Sequence, residues 1–213
     1  MNEKKHQKII FVCTGNTCRS PMAEALLQSE IKRLHIQDVE VCSAGTSVEK
    51  DGTANAYSVK TLAENGLELI NFQSTPLCEK DLENSIIICM TERQRERIFQ
   101  ARLRLYHEGK ISNKENNVFS FYELVGYEIP DPYGLTIEHY RYVFQKLSQA
   151  MPTVIEKFCQ PKPAPKKRGR PKKSEQAKPT AQAQESTPPK KRGRPRKKPV
   201  EEKKSVIKHL KKE

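Results

Sequence analysis

A short apolar run, Lys8-Ile9-Ile10-Phe11-Val12, breaks at once into Cys13-Thr14-Gly15-Asn16-Thr17-Cys18-Arg19-Ser20-Pro21, after which helical spacing begins. Strand, tight loop and helix in immediate succession constrain the fold more than any other feature of the chain. An unbroken run of β-branched and aromatic residues predicts a strand buried on both faces, and such strands belong to parallel sheets covered by helices. Ser20 stands where it can cap the helix, and Pro21 where a missing N–H costs nothing. Gly15 and Asn16 are the loop residues best able to take positive φ, so the backbone can curl and turn successive N–H groups toward one point. A nest of that kind, opening onto a helix N-terminus, binds an anion.

The rest of the first 160 residues repeats the alternation. Residues 21–35 carry Ala23, Leu26, Leu27, Ile31 and Leu34 on one face of an amphipathic helix. Residues 39–43 predict a second strand, closed by Ala44 and Gly45, and residues 55–65 a second helix with Gly66 as its C-terminal glycine. Residues 85–90 are the most apolar run and predict a central parallel strand. Thr91 caps a helix reaching about Tyr106, whose arginines 93, 95, 97, 102 and 104 read as an exposed face. Residues 118–121 predict a fourth strand and residues 137–158 a last helix, kinked at Pro152. The expected fold is therefore α/β: a doubly wound, four-stranded parallel sheet with helices on both faces. Its ligand belongs at the C-terminal ends of the strands, where Cys13 falls.

Charge divides the chain in two. Residues 1–160 hold 19 Lys/Arg against 21 Asp/Glu, a net −2, and the remainder holds 20 against 5, a net +15. The whole-chain figure of +13 therefore belongs to the C-terminal quarter. The expected organisation is a domain over residues 1–159 and a disordered basic tail over 160–213, too poor in large apolar side chains to offset the entropy of ordering. No signal-peptide core or membrane-spanning run is evident, so the expected location is cytoplasmic, with the nucleoid as a further address. The six cysteines (13, 18, 42, 78, 89 and 159) are then expected as free thiols, with Cys42 and Cys89 as inert core.

A cysteine and an arginine at the two ends of such a loop suit attack on a phosphoryl group. The attacking species is the thiolate, favoured here by N–H dipoles, the helix terminus, Arg19 and the Ser20 hydroxyl. Thr14, Gly15, Asn16, Thr17, Cys18 and Ser20 complete the phosphate-binding loop, and Arg19 can grip two phosphate oxygens at once. The leaving group needs a proton, and the best candidate donor is Asp131, in the stiff stretch Ile129-Pro130-Asp131-Pro132-Tyr133-Gly134. Cys13 would form a phosphocysteine, and Asp131 as carboxylate would then activate water to release phosphate. No metal or cofactor is required.

The block from Cys13 through Pro21-Met22-Ala23-Glu24, with Asp131-Pro132-Tyr133, resembles the low molecular weight protein tyrosine phosphatase family over residues 8 to about 158. The resemblance implies Cys13 as nucleophile, Arg19 as phosphate clamp, Asn16 and Ser20 as supports of loop and thiolate, and Asp131 as general acid. It also implies that Cys18 is a redox partner able to trap oxidised Cys13 as a disulfide. Thr17 is similar to the bacterial protein arginine phosphatase branch, whereas tyrosine-specific members usually carry a bulky aliphatic residue there. The stretch from Thr46 to Gly52 has no aromatic side chain, which leaves Tyr133 as the evident aromatic wall for a substrate. A guanidine is a far more basic leaving group than a phenol, about 12.5–13.8 against about 10, so Asp131 would protonate it or pair with it. Phosphoarginine in proteins is thus the expected substrate ahead of phosphotyrosine. The alternatives are a tyrosine phosphatase of the same family, an arsenate reductase relaying through Cys78 and Cys89, and a non-enzymatic chromosomal protein.

The tail contains a repeat. Residues 166–173 and 190–198 each enclose an Arg-Gly-Arg-Pro core: Arg168, Gly169, Arg170 and Pro171, then Arg192, Gly193, Arg194 and Pro195. Both cores resemble the AT-hook, in which a narrow glycine lets the backbone lie in the minor groove while arginines run along its floor. The implied partner is A·T-rich DNA, bound by two linked sites with steep salt dependence.

Overall fold

The computed structural model describes residues 7–113 and 115–159 of the 213-residue chain. Four parallel strands, β1 (Gln7–Cys13), β2 (Val39–Gly45), β3 (Ser85–Cys89) and β4 (Val118–Ser120), form a sheet in the order β2-β1-β3-β4. The helices are α1 (Arg19–Arg33), α2 (Ala56–Glu64), α3 (Glu79–Asn84), α4 (Glu92–His107), α5 (Phe121–Val125) and α6 (Ile137–Val154), and α6 continues into one π-helical turn, Ile155–Cys159. The doubly wound α/β fold expected from the alternation is the fold observed.

Period-two alternation divides β1 between two cores. Ile9, Phe11 and Cys13 face the core built with α1, α2, α5 and α6, and Ile10 and Val12 face the one closed by α3 and α4. All five are at most 2% exposed, and full burial of each large aliphatic or aromatic side chain contributes about 1.5–3 kcal/mol. Phe11 stacks on Phe121 with ring centroids 6.1 Å apart. Strand order reverses direction between β1 and β3, so the crevice above that pair is where a ligand binds in such a sheet. The first strand ends there in Cys13, whose register partner is Gly45 at the end of β2.

Several local expectations need correction. Helix α1 begins at Arg19 with Cys18 as its N-cap residue, so Ser20 lies inside the first turn and does not cap it. Pro21 still costs no hydrogen bond, since first-turn N–H groups have no acceptor within the helix. Asn16 takes φ +55°, but Gly15 is not in the left-handed region. Leu34, 43% exposed, leaves the apolar face at the C-cap. Pro152 sits inside α6 without ending it, and the winding changes only after Val154. The fourth strand ends at Ser120, whose side chain caps α5, so Phe121 is helical. Arg102 is not surface: it is 1% exposed, and donates from Nε to the Leu82 carbonyl (3.1 Å) and from Nη2 to the Asn113 carbonyl (2.6 Å). Cys42 is only half-buried, though burial still pushes its thiol up to about 11, and Cys89 is wholly buried, its thiol raised further. The tail, with its two Arg-Gly-Arg-Pro cores and its expected disorder, lies outside the described residues.

Candidate active site

The loop between β1 and α1 is held by a side chain at its centre. Asn16 is fully buried and uses every polar atom it has. Its Nδ2 donates to Ser20 Oγ (2.9 Å) and to Ser43 Oγ (2.8 Å), and its Oδ1 accepts the Thr75 N–H (2.8 Å). Its carbonyl accepts from Ser74 Oγ (2.8 Å), and its own N–H points at Cys13 Sγ (3.3 Å). A left-handed residue whose amide also tethers strand β2 and the loop at Thr75 explains why asparagine, which tolerates positive φ, stands here.

These bonds decide what Ser20 does. Its oxygen already accepts from Asn16, so its hydrogen is free for Cys13 Sγ at 3.0 Å, nearer than the competing Ala44 carbonyl at 3.5 Å. The Asn16 N–H and the Ser20 hydroxyl thus both meet the sulfur, which is 2% exposed at the N-terminal end of α1. Both contacts and the N-terminal end of the helix place partial positive charge around the sulfur. Beyond Ser43 the chain of contacts ends at Glu24, whose Oε2 accepts from Ser43 Oγ (2.6 Å) and whose Oε1 accepts from Gln28 (3.0 Å). Burial raises the Glu24 carboxyl above the ordinary carboxylate range, against the pull of those hydrogen bonds.

Arg19 turns from the first position of α1 toward the stretch after α5. It is nearly buried; Nη2 meets Asp131 Oδ2 at 2.6 Å and Nη1 the Ile129 carbonyl at 3.5 Å. Its Nε is buried with no hydrogen-bond partner among the described residues, and an anion in the loop supplies the kind of acceptor it lacks. Asp131 is half-exposed, and its second oxygen takes the Tyr133 N–H at 3.3 Å. Cys13, Asn16 and Ser20 thus form one hydrogen-bonded group and Arg19 with Asp131 an ion pair, the two joined through the chain at Arg19-Ser20.

A cleft of about 700 Å³ opens beside this cluster, walled by Thr14 and Arg19, by Thr46 and Ser47 after β2, by the start of α4, and by Glu128 to Asp131. Thr17 and Tyr133 lie outside that lining. Thr17 is half-buried, its carbonyl accepting from Asn55 N–H (2.8 Å) and its hydroxyl 3.5 Å from Cys18 Sγ, and Tyr133 is 69% exposed. The Cys18 thiol is buried and lies 3.5 Å from the Tyr140 hydroxyl. Cys78 is exposed at the start of α3, whereas Cys89 is enclosed in β3. All six thiols are free, and no group of three or more His, Cys, Asp or Glu among the described residues is placed to hold a metal ion.

Ser43, Ser74, Thr75 and Gly45 also build the site, and no motif in the sequence points to them. A Cβ on Gly45 would lie 2.7 Å from the Thr14 carbonyl and 3.0 Å from the Asn16 N–H, so the loop packs against β2 only because this residue has no side chain. The lone hint is the sequence Ser43-Ala44-Gly45, three small residues ending a strand.

A thiol-bearing loop between strand and helix, at the switch point of a parallel sheet, points to a class: the α/β phosphatases. The chain belongs more narrowly to the low molecular weight phosphotyrosine protein phosphatase family, whose members are hydrolases and which residues 8–162 match. It is 34% identical to a protein-arginine-phosphatase of Bacillus subtilis, across 67% of this chain and 91% of that one. It is 30% identical to the low molecular weight protein-tyrosine-phosphatase PtpB of Staphylococcus epidermidis, across 66% and 91%. Among solved structures, a mutant of YwlE from Bacillus subtilis superposes with a TM-score of 0.61 at 33% identity, covering 71% of this chain and 97% of that one. Residues 165–177 and 189–201 match the AT hook motif. No helix among the described residues is long and apolar enough to cross a membrane.

Proposed function

We propose that this phosphatase removes phosphate from arginine side chains of proteins in preference to tyrosine, through a phosphocysteine on Cys13. Cys13 Sγ attacks phosphorus and forms the S–P bond as the bond to the guanidine nitrogen breaks, and the Asp131 carboxylic acid gives its proton to that nitrogen. Water then attacks phosphorus, losing its proton to the Asp131 carboxylate, and the S–P bond breaks to release inorganic phosphate and the thiolate. Arg19 spans the phosphate oxygens, so its resting pair with Asp131 exchanges for a pair with substrate and frees the carboxyl for proton transfer.

The observation that supports the arginine preference is Thr17, a small, polar loop side chain whose hydroxyl makes only a long contact to the Cys18 thiol. Similarity to a protein-arginine-phosphatase supports the same reading. The test compares a phosphoarginine protein with a phosphotyrosine peptide. The wild type is expected to turn over the first with the higher kcat/KM, Thr17→Ile to lose that preference, and Cys13→Ser to lose about 10⁴-fold or more on both. Comparable turnover of the two substrates, unmoved by Thr17→Ile, overturns the preference.

The AT hook matches support a second role, an address on A·T-rich DNA. The full chain is expected to bind an A·T duplex more tightly than a G·C duplex, with the difference lost in Arg170→Ala/Arg194→Ala. Equal affinity for both duplexes overturns it.

A further inference from the structure

The arginines of α4 have different employment. Arg95 is enclosed by Glu92, Glu96 and Glu123, and Arg102 is buried on main-chain carbonyls. Arg93 and Arg97 are exposed, make no ion pair or side-chain hydrogen bond among the described residues, and both line the cleft beside the phosphate loop. They stand four residues apart, so the two guanidinium groups rise from neighbouring points of one helix face, where like charges repel and destabilise the helix. Arg93 lies in the first turn of α4, where the helix dipole adds to the positive potential.

The two carboxylates of the same cleft are engaged elsewhere and make no ion pair with them. Asp131 is held by Arg19, and Glu128 Oε1 accepts the Glu92 N–H at the start of α4 (2.7 Å). The position of the two arginines relative to the cradle is also fixed. Gln94, one residue from Arg93, donates to Thr14 Oγ1 at 3.1 Å, and Thr91 and Gln94 close a capping box that locks the first turn. Two unpaired cations are thus held at a set offset from the phosphate loop, in a cleft far larger than one phosphate group.

We propose that Arg93 and Arg97 form a subsite for a carboxylate side chain of the protein substrate, an Asp or Glu within a few residues of the phosphorylated one. The subsite rests on the reading of the Cys13 loop as the phosphate site, and not on the choice between phosphoarginine and phosphotyrosine. It selects substrates by the charge around the modified residue, while the loop selects the modification.

The test uses the full chain and matched peptides, identical except for Asp, Ala or Lys on both sides of the phosphorylated residue. One set carries phosphoarginine and one phosphotyrosine. The ratio of kcat/KM for Asp-flanked over Ala-flanked peptide is taken within each set, so it is independent of which modification is preferred. For the wild type the ratio is expected at about three- to tenfold, carried by KM, as for one or two exposed ion pairs. It should fall toward one as salt is raised. Arg93→Ala/Arg97→Ala brings the ratio to about one, and Arg93→Glu/Arg97→Glu inverts it in favour of Lys-flanked peptides. A wild-type ratio of one overturns the proposal, as does a ratio that survives charge reversal, since other cations would then carry it. Faster turnover of phosphotyrosine with the ratio intact overturns the arginine preference and leaves the subsite standing.

Discussion

The loop that holds Cys13 and the stretch that holds Asp131 meet across one ion pair and are built on opposite principles. The first is buried and saturated with hydrogen bonds: Asn16 alone ties it to Ser20, Ser43, Ser74 and Thr75. The second is half open to solvent and is anchored by few bonds, chiefly Ile129 N–H to the Met90 carbonyl (2.9 Å) and Asp131 to Arg19. Attack on phosphorus needs a nucleophile and donors fixed in place before substrate arrives, and that geometry is costly to disturb. Proton delivery must adapt to whatever leaving group the substrate brings, and tolerates a looser frame. On the proposed mechanism, reaction class resides in the buried loop and leaving-group chemistry in the exposed one.

Asp131→Asn tests this division most severely. Loss of the proton donor is expected to reduce kcat by about 10²–10⁴ on substrates with basic leaving groups. The loss should be much smaller on an aryl phosphate whose leaving group departs without protonation. Stability should change little, because Asn keeps an acceptor for Arg19 and a half-exposed ion pair contributes only about 0–1 kcal/mol. Parallel measurement of kcat on the two substrate types and of thermal unfolding checks both statements. An equal loss on all leaving groups would show that Asp131 acts by holding Arg19 and not by moving a proton.

Asn16→Ala should behave in the opposite way. It leaves the Thr75 N–H without its buried acceptor and frees the Ser20 oxygen from its donor, so unfolding stability is expected to drop by about 1–3 kcal/mol. Activity should fall by the same factor on every leaving group, since the lost element positions the sulfur and plays no part in proton transfer. A denaturant midpoint beside a two-substrate kinetic comparison reads both effects. A leaving-group-dependent loss here would erase the distinction between the two regions.

The two regions also differed in how far the sequence disclosed them. Strands β1 and β3 were plain because four or more consecutive apolar residues leave few alternatives, and Thr91 marked the start of α4. The sequence suggests Ser20 both as the helix cap and as a support of the Cys13 sulfur; the cap belongs to Cys18, while the Ser20 hydroxyl does lie 3.0 Å from that sulfur. Gly15 misled because Asn16 alone supplies the positive φ. The partners of Asn16 were invisible, since Ser43, Ser74 and Thr75 reach it from 27 to 59 residues away and no local pattern encodes such pairs. Helices α3 and α5, six and five residues long, were too short to show a period. Arg102 looked like surface because burial of a guanidinium depends on carbonyls offered by Leu82 and Asn113, which sequence spacing does not reveal.

The far end of the buried network gives the smallest and most specific effect. Because burial raises the Glu24 carboxyl in the folded protein, the folded state holds that proton more tightly than the unfolded chain. Its contribution to stability is therefore complete below the unfolded value and is lost as pH rises through the folded value. Glutamine cannot ionise, yet its carbonyl still accepts from Ser43, and Gln28 can rotate its amide to meet the new NH₂ group. Wild type and Glu24→Gln should thus differ most in favour of the wild type at the acid end, and the difference should shrink or reverse as pH climbs above the ordinary carboxylate range. Urea midpoints of the two proteins across that range make the comparison. A difference that stays flat would mean that Glu24 has the same charge state in both folded and unfolded chains. The series from Glu24 through Ser43, Asn16 and Ser20 to Cys13 would then end on a carboxyl that holds its proton no more tightly than the unfolded chain does, and burial of Glu24 would add no pH dependence to the stability of that network.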